Sequence, residues 1–406
     1  MNGAGSKSNK TGSSCVILVL SMLVLITAPS SVFARDDNTV ALLRKIGKIF
    51  AGIAEKASPS VVVLTVEKPI PRGQLEDAER RIIIDRDSPP APPSEPVGES
   101  RPLQPNPLYS LPGSIRTQKL RQQARGLGFI VSNDGHILTC NHLVKGAQKI
   151  NVKLADRREF EAEVIGTDPD TDIAVVKIDA NELPVLKLGD SDTLSVGDWV
   201  VGISNTMGLG RAFTHGLVTA KGRMLGMATL EDFVQTSINL QIGDAGGPLL
   251  DLDGNVVGIY LARFDGERGT GISFAIPINM AKDIYEQLIE TGTVERGFLG
   301  VALKDLDAKM AKALDLEKTK GVVIANVIKD SAAEKAGIKR YDVLVEFNSE
   351  PVESASRFIL RVAALRHGTQ VKAVVLRGGQ RQNLTVTLGK RPSEQELKSD
   401  DAPKEP

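Results

Sequence analysis

The sequence predicts a mainly β protein, with an all-β barrel or sandwich between about residues 120 and 277 and a small α+β module over 297–391. Short β-branched runs separated by turn residues predict the first region; they include "LGFIVS", "HILTC", "KINVKL", "DIAVVKI", "DWVVGI", "GLVTAK" and "NVVGIYLA". A change to helical periodicity near residue 279 marks its end. With 41% hydrophobic and 4% aromatic residues and 38 glycines among 406, the chain suits a turn-rich globular protein better than a coiled coil or a disordered chain.

Residues 1–34 are predicted to be a signal peptide that is cleaved after Ala34. Two lysines precede an apolar run from Cys15 to Ala28, and Pro29 and small residues follow it. The run has 14 residues, short of the ~20 that a membrane span needs, so an uncleaved anchor is the alternative and no stable membrane span is expected. The protein is therefore expected to be periplasmic or secreted.

An amphipathic helix is predicted within residues 35–57, because apolar side chains recur there three or four residues apart. "SVVVLTVEK" at 60–68 reads as a strand. The following segment, about 69–122, is rich in proline and is predicted to be an exposed loop; a ligand for a proline-recognising domain is the alternative.

Residues 279–292 are predicted to form a helix, with Asn279 as its N-cap and Gly292 as its stop. Beyond it, residues 293–391 mix strands with two helical stretches near 307–315 and 354–366. Residues 392–406 have little to bury and are predicted to be a flexible tail.

The charge balance excludes a dedicated binder of phosphate backbones. Lys and Arg number 50 and so do Asp and Glu, so the formal net charge is zero and no nucleic-acid partner is expected.

Three segments carry residues that point to acyl-transfer chemistry. His142 lies in "GHILTCNHLVKGA", Asp172 in "DTDIAVVKI", and the turn "GDAGGPLL" occupies 243–250. The order of histidine, aspartate and a Gly-x-x-Gly-Gly-Pro turn is typical of chymotrypsin-like proteases.

The chain resembles the HtrA (DegP-like) family of trypsin-fold proteases over nearly all of its mature sequence. Beyond the three segments, the resemblance lies in "LPVLKLGDSDTLSVGDWVVGI" (183–203), "THGLVTAKGR" (214–223) and "DLDGNVVGI" (251–259). It implies a chymotrypsin-like double β-barrel in a trypsin-like domain over 58–292 and a PDZ domain over 293–391. It also implies cleavage of unfolded proteins outside the cytoplasm and assembly into trimers, to which the helix at 39–56 would contribute.

The nucleophile of this family is missing. Where the family has Gly-Asn-Ser-Gly-Gly-Pro, this chain has Gly243-Asp244-Ala245-Gly246-Gly247-Pro248. His142 would accept the serine proton while Asp172 fixes the imidazole tautomer, but a methyl group cannot attack a carbonyl. Loss of the nucleophile costs about a factor of 2 × 10⁶ in turnover in another serine protease, so ordinary proteolysis is predicted to be absent. The N–H groups of Gly243 and Ala245 would still offer an oxyanion hole.

An engineered serine-to-alanine knockout is the simplest alternative explanation of Ala245. Against it, the family's usual Asp-Ala-Ala-Ile-Asn-Pro is here the segment 237–242, and its usual Gly-Asn-Pro-Phe-Gly is here 204–208. One designed substitution would not rewrite both loops, so natural loss of the nucleophile is favoured.

No substitute nucleophile, metal or cofactor is predicted. Ser237 and Cys140 lie off the glycine turn that aims the nucleophile. His136, His215 and His367 lack metal-ligand spacing, and Trp199, the only tryptophan, is expected in the core. The alternative interpretation of His142 and Asp172 is an ion pair that has no function.

The segment "GFLGV" at 297–301 resembles the carboxylate-binding loop of an HtrA-type PDZ domain, which makes Phe298, Leu299, Gly300 and Val301 the expected peptide-binding residues. A helix carrying Phe358, Val362 and Leu365 would form the other wall or pack the module's core. Tyr341 stands where the family usually has Gly and would be costly if the turn needs a positive φ.

The sequence therefore predicts an exported HtrA-like pseudoenzyme that binds unfolded, extended or C-terminal peptide segments in protein quality control. It would act as a chaperone, an adaptor or a regulator of active relatives. The alternatives are an active serine endopeptidase of this family that degrades misfolded exported proteins, and a scaffold whose β domain supplies only assembly contacts.

Overall fold

A computed structural model describes residues 37–69, 121–205, 210–239, 241, 243–263, 271–313 and 321–392. The predicted signal peptide, most of the predicted proline-rich loop and the predicted tail from residue 393 onward lie outside these residues. The loop segments 204–208 and 237–242, which argue for natural loss of the nucleophile, are described only in part. The chain divides into two compact units, residues 1–52 and 53–406.

The first unit contributes most of one helix, α1 (Asp37–Ala57), which a short 3₁₀ turn (Ser58–Ser60) follows. Its apolar side chains recur with helical period, as predicted, and its last turn carries Lys56. Among the described helices, none combines the length and the apolar character that crossing a membrane requires.

Six antiparallel strands close the first barrel, in the order β1-β2-β3-β6-β5-β4. Leu64 and Phe129 are fully buried inside it. The first strand ends at Pro69 and pairs there with Arg121, so the second strand begins before the pattern predicted at about residue 124. The strands are β1 (Val61–Pro69), β2 (Arg121–Ile130), β3 (His136–Cys140), β4 (Lys149–Lys153), β5 (Glu159–Asp168) and β6 (Ile173–Ile178), and a short helix, α2 (Asn141–Val144), follows β3.

A second closed barrel follows in the order β10-β11-β12-β9-β8-β7. Fully buried side chains such as Val200, Leu249 and Tyr260 fill it. Together the barrels confirm the mainly β prediction and the double barrel that the resemblance implies. The strands are β7 (Trp199–Ser204), β8 (Ala212–Arg223), β9 (Phe233–Thr236), β10 (Pro248–Leu250), β11 (Val256–Arg263) and β12 (Ser273–Pro277).

Helix α3 (Ile278–Thr291) leads to the C-terminal module and ends at Gly292 in the left-handed conformation, as predicted. The module's main sheet has the order β14-β15-β16-β18-β19, so β14 is an edge strand. The module consists of β13 (Gly297–Phe298), β14 (Val301–Asp305), α4 (Ala308–Ala313), β15 (Val322–Val327), α5 (Ala332–Lys335), β16 (Val343–Phe347), β17 (Glu350–Pro351), α6 (Ala355–Ala363), β18 (Gln370–Arg377), β19 (Gln380–Thr387) and β20 (Gly389–Lys390).

Two local expectations are wrong. Trp199 is not in the core: it opens β7 with its side chain on the outside of the barrel, 45% exposed, and stacks on His215 with 5.4 Å between ring centroids. Asn279 is not the N-cap, because Pro277 holds that position. The Asn279 side chain instead donates to Asp190 at 2.7 Å.

Candidate functional site

His142 and Asp172 meet at the end of the first barrel. His142 lies in α2, directly after β3, and Asp172 immediately precedes β6, the strand that pairs with β3. The carboxylate accepts two hydrogen bonds from the histidine, one from Nδ1 at 2.5 Å and one from the backbone N–H at 2.7 Å. The N–H of Asn141 donates to the Asp172 carbonyl at 2.9 Å, so three bonds fix the relative position of the two residues.

Asp172 adopts a backbone conformation that is rare for residues with a side chain. Its φ is 63° and its side chain is buried. Such a conformation costs of order 1 kcal/mol or more and persists where the surroundings over-determine it. Because Nδ1 donates to the carboxylate, Nε2 is the nitrogen left to accept a proton, which is the tautomer that general-base chemistry needs.

The glycine turn at 243–248 is hydrogen-bonded to one strand of each barrel, β2 and β11. The Leu127 N–H donates to the Ala245 carbonyl at 2.8 Å, and the Gly246 N–H donates to the Tyr260 carbonyl at 2.7 Å. Gly246 has a φ of 85°, and a Cβ on it would overlap Thr139 Oγ1 and the Leu127 carbonyl, so only glycine fits. The turn that presents residue 245 is therefore held rigidly.

Asp244 stabilises this turn through its buried side chain, a role that the sequence analysis does not predict. Its side chain is fully buried and accepts from the backbone N–H groups of Asn205 at 3.0 Å and Gln241 at 2.8 Å. Burial raises the pKa of its carboxyl above the ordinary value, and the two backbone hydrogen bonds oppose that rise. The signal available in the sequence was an aspartate where the family usually has asparagine.

The predicted oxyanion hole consists of the N–H groups of Gly243 and Ala245. Within the part of the chain that the structure describes, neither the Gly243 nor the Ala245 amide donates to another protein group. Gly243 has a φ of 97°, which the turn reaches without penalty because the residue is glycine. Two unsatisfied N–H groups in one turn are what a carbonyl oxygen requires.

Ala245 supplies no oxygen at the nucleophile position, and the two residues weighed as substitutes are occupied elsewhere. Ser237 Oγ accepts from the Leu217 N–H at 2.9 Å on the second barrel. Cys140 is fully buried, and its Sγ donates to the Tyr260 carbonyl at 3.2 Å. Burial raises the pKa of the Cys140 thiol well above its ordinary value, which disfavours the reactive thiolate.

Cys140, His142 and Asp172 each place one potential metal ligand within 4.8 Å of the others. A metal here would need the Cys140 thiolate, which burial disfavours, and would compete with the Nδ1–carboxylate hydrogen bond. The geometry favours an acid–base pair over a metal site.

A buried ion cluster lies next to Asp172 along the chain and was not predicted. Arg296, which joins α3 to the C-terminal module, donates from its two terminal nitrogens to Asp168 at 2.8 and 2.5 Å. Both side chains are buried, and Thr171 Oγ1 also donates to Asp168. Arg391 Nε, at the other end of the module, lies 3.2 Å from Asp170. The cluster ties the module to the turn that carries Asp172.

The four residues expected to bind peptide lie at the start of edge strand β14. Leu299 and Gly300 are buried, and Phe298 and Val301 are partly exposed. The Leu299 and Gly300 carbonyls accept from Ala333 and Ile328 N–H groups, each at 2.9 Å, whereas their own amides donate to no protein acceptor among the described residues. Gly300 has a φ of 78°, and a Cβ there would overlap Ser331.

Helix α6 contacts β13 and β14, and its inner face is part of the module's core. Phe358 and Val362 are buried, and Phe358 packs edge-to-face on Phe347 with 4.9 Å between ring centroids. Leu365 is partly buried and packs against the same core. These contacts favour the core-packing interpretation of the three side chains.

The fold and site define a class: a trypsin-like double barrel with a histidine–aspartate pair, joined to a small α+β module. A family model described as "Trypsin-like peptidase domain" matches residues 126–259, and one described as "PDZ domain" matches 297–388. The chain belongs to the HtrA family of serine proteases.

Curated relatives cover most of the chain. A "probable periplasmic serine endoprotease DegP-like" of Pseudomonas savastanoi pv. phaseolicola is 39% identical over 357 residues, 85% of this chain and 71% of the relative. A protein of the same description from Chlamydia pneumoniae is 38% identical over 93% of this chain and 77% of its own length.

Among solved structures, "HtrA-type protease AlgW with decapeptide" is 35% identical with a TM-score of 0.66, and the match covers 85% of this chain and 99% of that one. The same protease with a tripeptide gives 34% identity and a TM-score of 0.67, over 85% and 98% of the two chains.

Proposed function

We propose that this protein is a non-cleaving HtrA homologue that binds unfolded polypeptides and protein C-termini outside the cytoplasm, as a chaperone, adaptor or regulator of active relatives. The observation that carries the proposal is Ala245 at the nucleophile position of an otherwise ordered site. The two free amides would hold a peptide carbonyl, while the His142–Asp172 pair would have no nucleophile to deprotonate. Oligomer formation, by analogy with the family's trimers, is part of the same proposal.

Peptide binding by the PDZ domain rests on two features of β14. The strand is at the sheet edge, so an extended peptide can add beside it through backbone hydrogen bonds. At its start, the free amides of Leu299 and Gly300 offer donors to a terminal carboxylate. Related HtrA-type proteases have been solved with a decapeptide and a tripeptide, by their titles, which supports a peptide ligand here.

The test is binding of fluorescent peptides with a free C-terminus, measured by anisotropy for the parent protein and for Gly300→Ala. The new Cβ would overlap Ser331 and displace the amide donors, so affinity should fall roughly 10- to 100-fold, the worth of one charge-assisted contact. Amidating the peptide's C-terminus should cause a similar loss in the parent.

Gly368→Ala is the matched control. Gly368 has the same φ of 78° but nothing within 4 Å of a Cβ, so the variant carries the same backbone strain without the collision. It should retain affinity. Equal affinity for free and amidated peptides, or equal losses of affinity in the two variants, would show that the loop at 298–301 does not bind the peptide's terminal carboxylate.

A further inference from the structure

Two lysines border His142 without belonging to its pair with Asp172. Lys68, on β1, donates from Nζ to the His142 carbonyl at 2.8 Å. Lys145 directly follows α2, the short helix that carries His142, and its backbone N–H donates to the Asn141 carbonyl at 2.8 Å. Two cationic side chains therefore extend from the segments that surround the histidine.

The positive charge of these lysines is not compensated within the described part of the chain, where neither amine has a carboxylate oxygen within 4.0 Å. Glu67 precedes Lys68 on β1, and successive side chains of a strand point to opposite faces. The Asp172 carboxylate is engaged by His142. Burial, and after it the charge of Lys145, lower the pKa of the Lys68 ammonium below its ordinary value, so the two cations lie near each other.

A peptide whose carbonyl is held by the Gly243 and Ala245 amides would pass these lysines. In a chymotrypsin-like site the histidine faces the amide nitrogen that follows the held carbonyl, because it protonates that nitrogen during cleavage. The residues after the carbonyl therefore run past His142, whose side chain is 46% exposed. An extended chain advances about 3.3 Å per residue, so the next few side chains come within reach of a long, flexible lysine.

We propose that Lys68 and Lys145 form a subsite for an acidic side chain, which selects peptide segments that carry Asp or Glu shortly after the held carbonyl. The inference rests on the proposed function, because it requires that the barrels hold a peptide. It adds a ligand preference to that function. The carboxylate of the bound segment supplies the negative charge that the two lysines lack, so acidic segments are held more tightly than neutral ones of the same length.

The test is fluorescence anisotropy of the unmodified protein with two labelled peptides that differ only in two adjacent residues, both Glu or both Gln. Both peptides are amidated at the C-terminus, so that a terminal carboxylate cannot take the place of the acidic side chain. The Glu peptide should bind roughly fivefold more tightly, which is the effect of a partly exposed ion pair. This ratio should shrink at 0.5 M salt, because salt screens the charges.

Removal of the two charges should remove the preference. Lys68→Gln/Lys145→Gln should bind both peptides equally, with the affinity that the unmodified protein has for the Gln peptide. Lys68→Arg/Lys145→Arg keeps both charges and should keep the preference. The exposed Lys145 can also be changed alone, and Lys145→Gln should reduce the ratio without touching the Lys68 hydrogen bond. A purely structural role of the lysines would not respond to the charge of the peptide.

The matched control is Lys153→Gln/Lys177→Gln, which removes the same charge from the same barrel. Lys153 pairs with Glu159 at 2.8 Å and Lys177 lies 3.4 Å from Asp134, so neither amine is available to a peptide. This variant should keep the roughly fivefold ratio.

Equal affinity of the unmodified protein for the two peptides, or an equal loss of preference in the control, would overturn the subsite and leave peptide binding itself intact. Binding of neither amidated peptide, while a peptide with a free C-terminus still binds, would overturn both the subsite and the holding of peptides by the barrels. It would leave only the PDZ domain as the peptide-binding part of the proposed function.

Discussion

Asp172 shows what this chain retains at the scale of single residues. Its carboxylate holds both the ring and the backbone of His142, at 2.5 and 2.7 Å, from a backbone conformation with a φ of 63°. A non-glycine residue in this conformation costs of order 1 kcal/mol or more, and it persists where the surrounding structure over-determines it. The hydrogen bond that orients a histidine base is therefore in place, and under the proposed function the missing side-chain oxygen of residue 245 is what prevents cleavage.

Glu231 organises a loop through backbone bonds alone. Its buried carboxylate accepts the N–H groups of Leu225, Gly226, Met227 and Ala228. Burial, the largest single influence, raises the pKa of Glu231, but the four hydrogen bonds together lower it below its ordinary value.

Glu231→Gln should lower the free energy of unfolding at pH 7 by about 1–3 kcal/mol, because charge-assisted bonds to the loop are weakened. A carboxyl with a lowered folded pKa stabilises above its unfolded pKa of about 4.3 and loses that contribution as the pH falls through the folded pKa. In urea unfolding, the difference between parent and variant should therefore narrow below about pH 4.3. A difference that stays constant into the acid range would show that the charge of Glu231 does not matter.

At the scale of elements, local patterns predicted most strands and the capping residue of α3. Alternating β-branched runs and turn residues are local signals, as is Gly292 at the helix stop. Tyr341 has a φ of 71°, so the condition under which its side chain is expected to be costly is met. The site residues His142, Asp172 and Ala245 came from motif order and the HtrA resemblance.

The remaining features depend on contacts between distant residues, which spacing does not encode. Asp168 and Arg296 are 128 residues apart, and nothing local marks either as a partner. Trp199 is predicted to be in the core because tryptophan is usually buried to a large extent. The register of β7 instead places its side chain on the outside of the barrel. Barrel closure likewise follows from the pairing of β1 with β4, which the strand pattern alone left open between a barrel and a sandwich.

At the scale of the whole molecule, the Arg296 cluster connects the PDZ domain to the turn that carries Asp172. Arg296→Ala would leave the buried Asp168 carboxylate without its bidentate partner, so it should reduce the free energy of unfolding by about 3–5 kcal/mol. Calorimetry should also show the two domains unfolding less cooperatively.

Arg366→Ala is the control for this prediction. Its side chain is 65% exposed and lies 4.0 Å from Glu290, so its loss should cost no more than about 0.5 kcal/mol. Comparable losses for the two arginines would mean that burial of the Arg296–Asp168 pair gives it no special role.

The most direct test of the account is cleavage of unfolded casein by the unmodified protein and by Ala245→Ser. The unmodified protein should leave casein intact, because a missing nucleophile alone removes about a factor of 10⁶ in turnover. The Ala245→Ser variant should cleave, since His142 and Asp172 are already joined by a 2.5 Å hydrogen bond. Cleavage by the unmodified protein that disappears in His142→Ala, prepared in parallel to exclude a contaminating protease, would contradict the account and require another nucleophile.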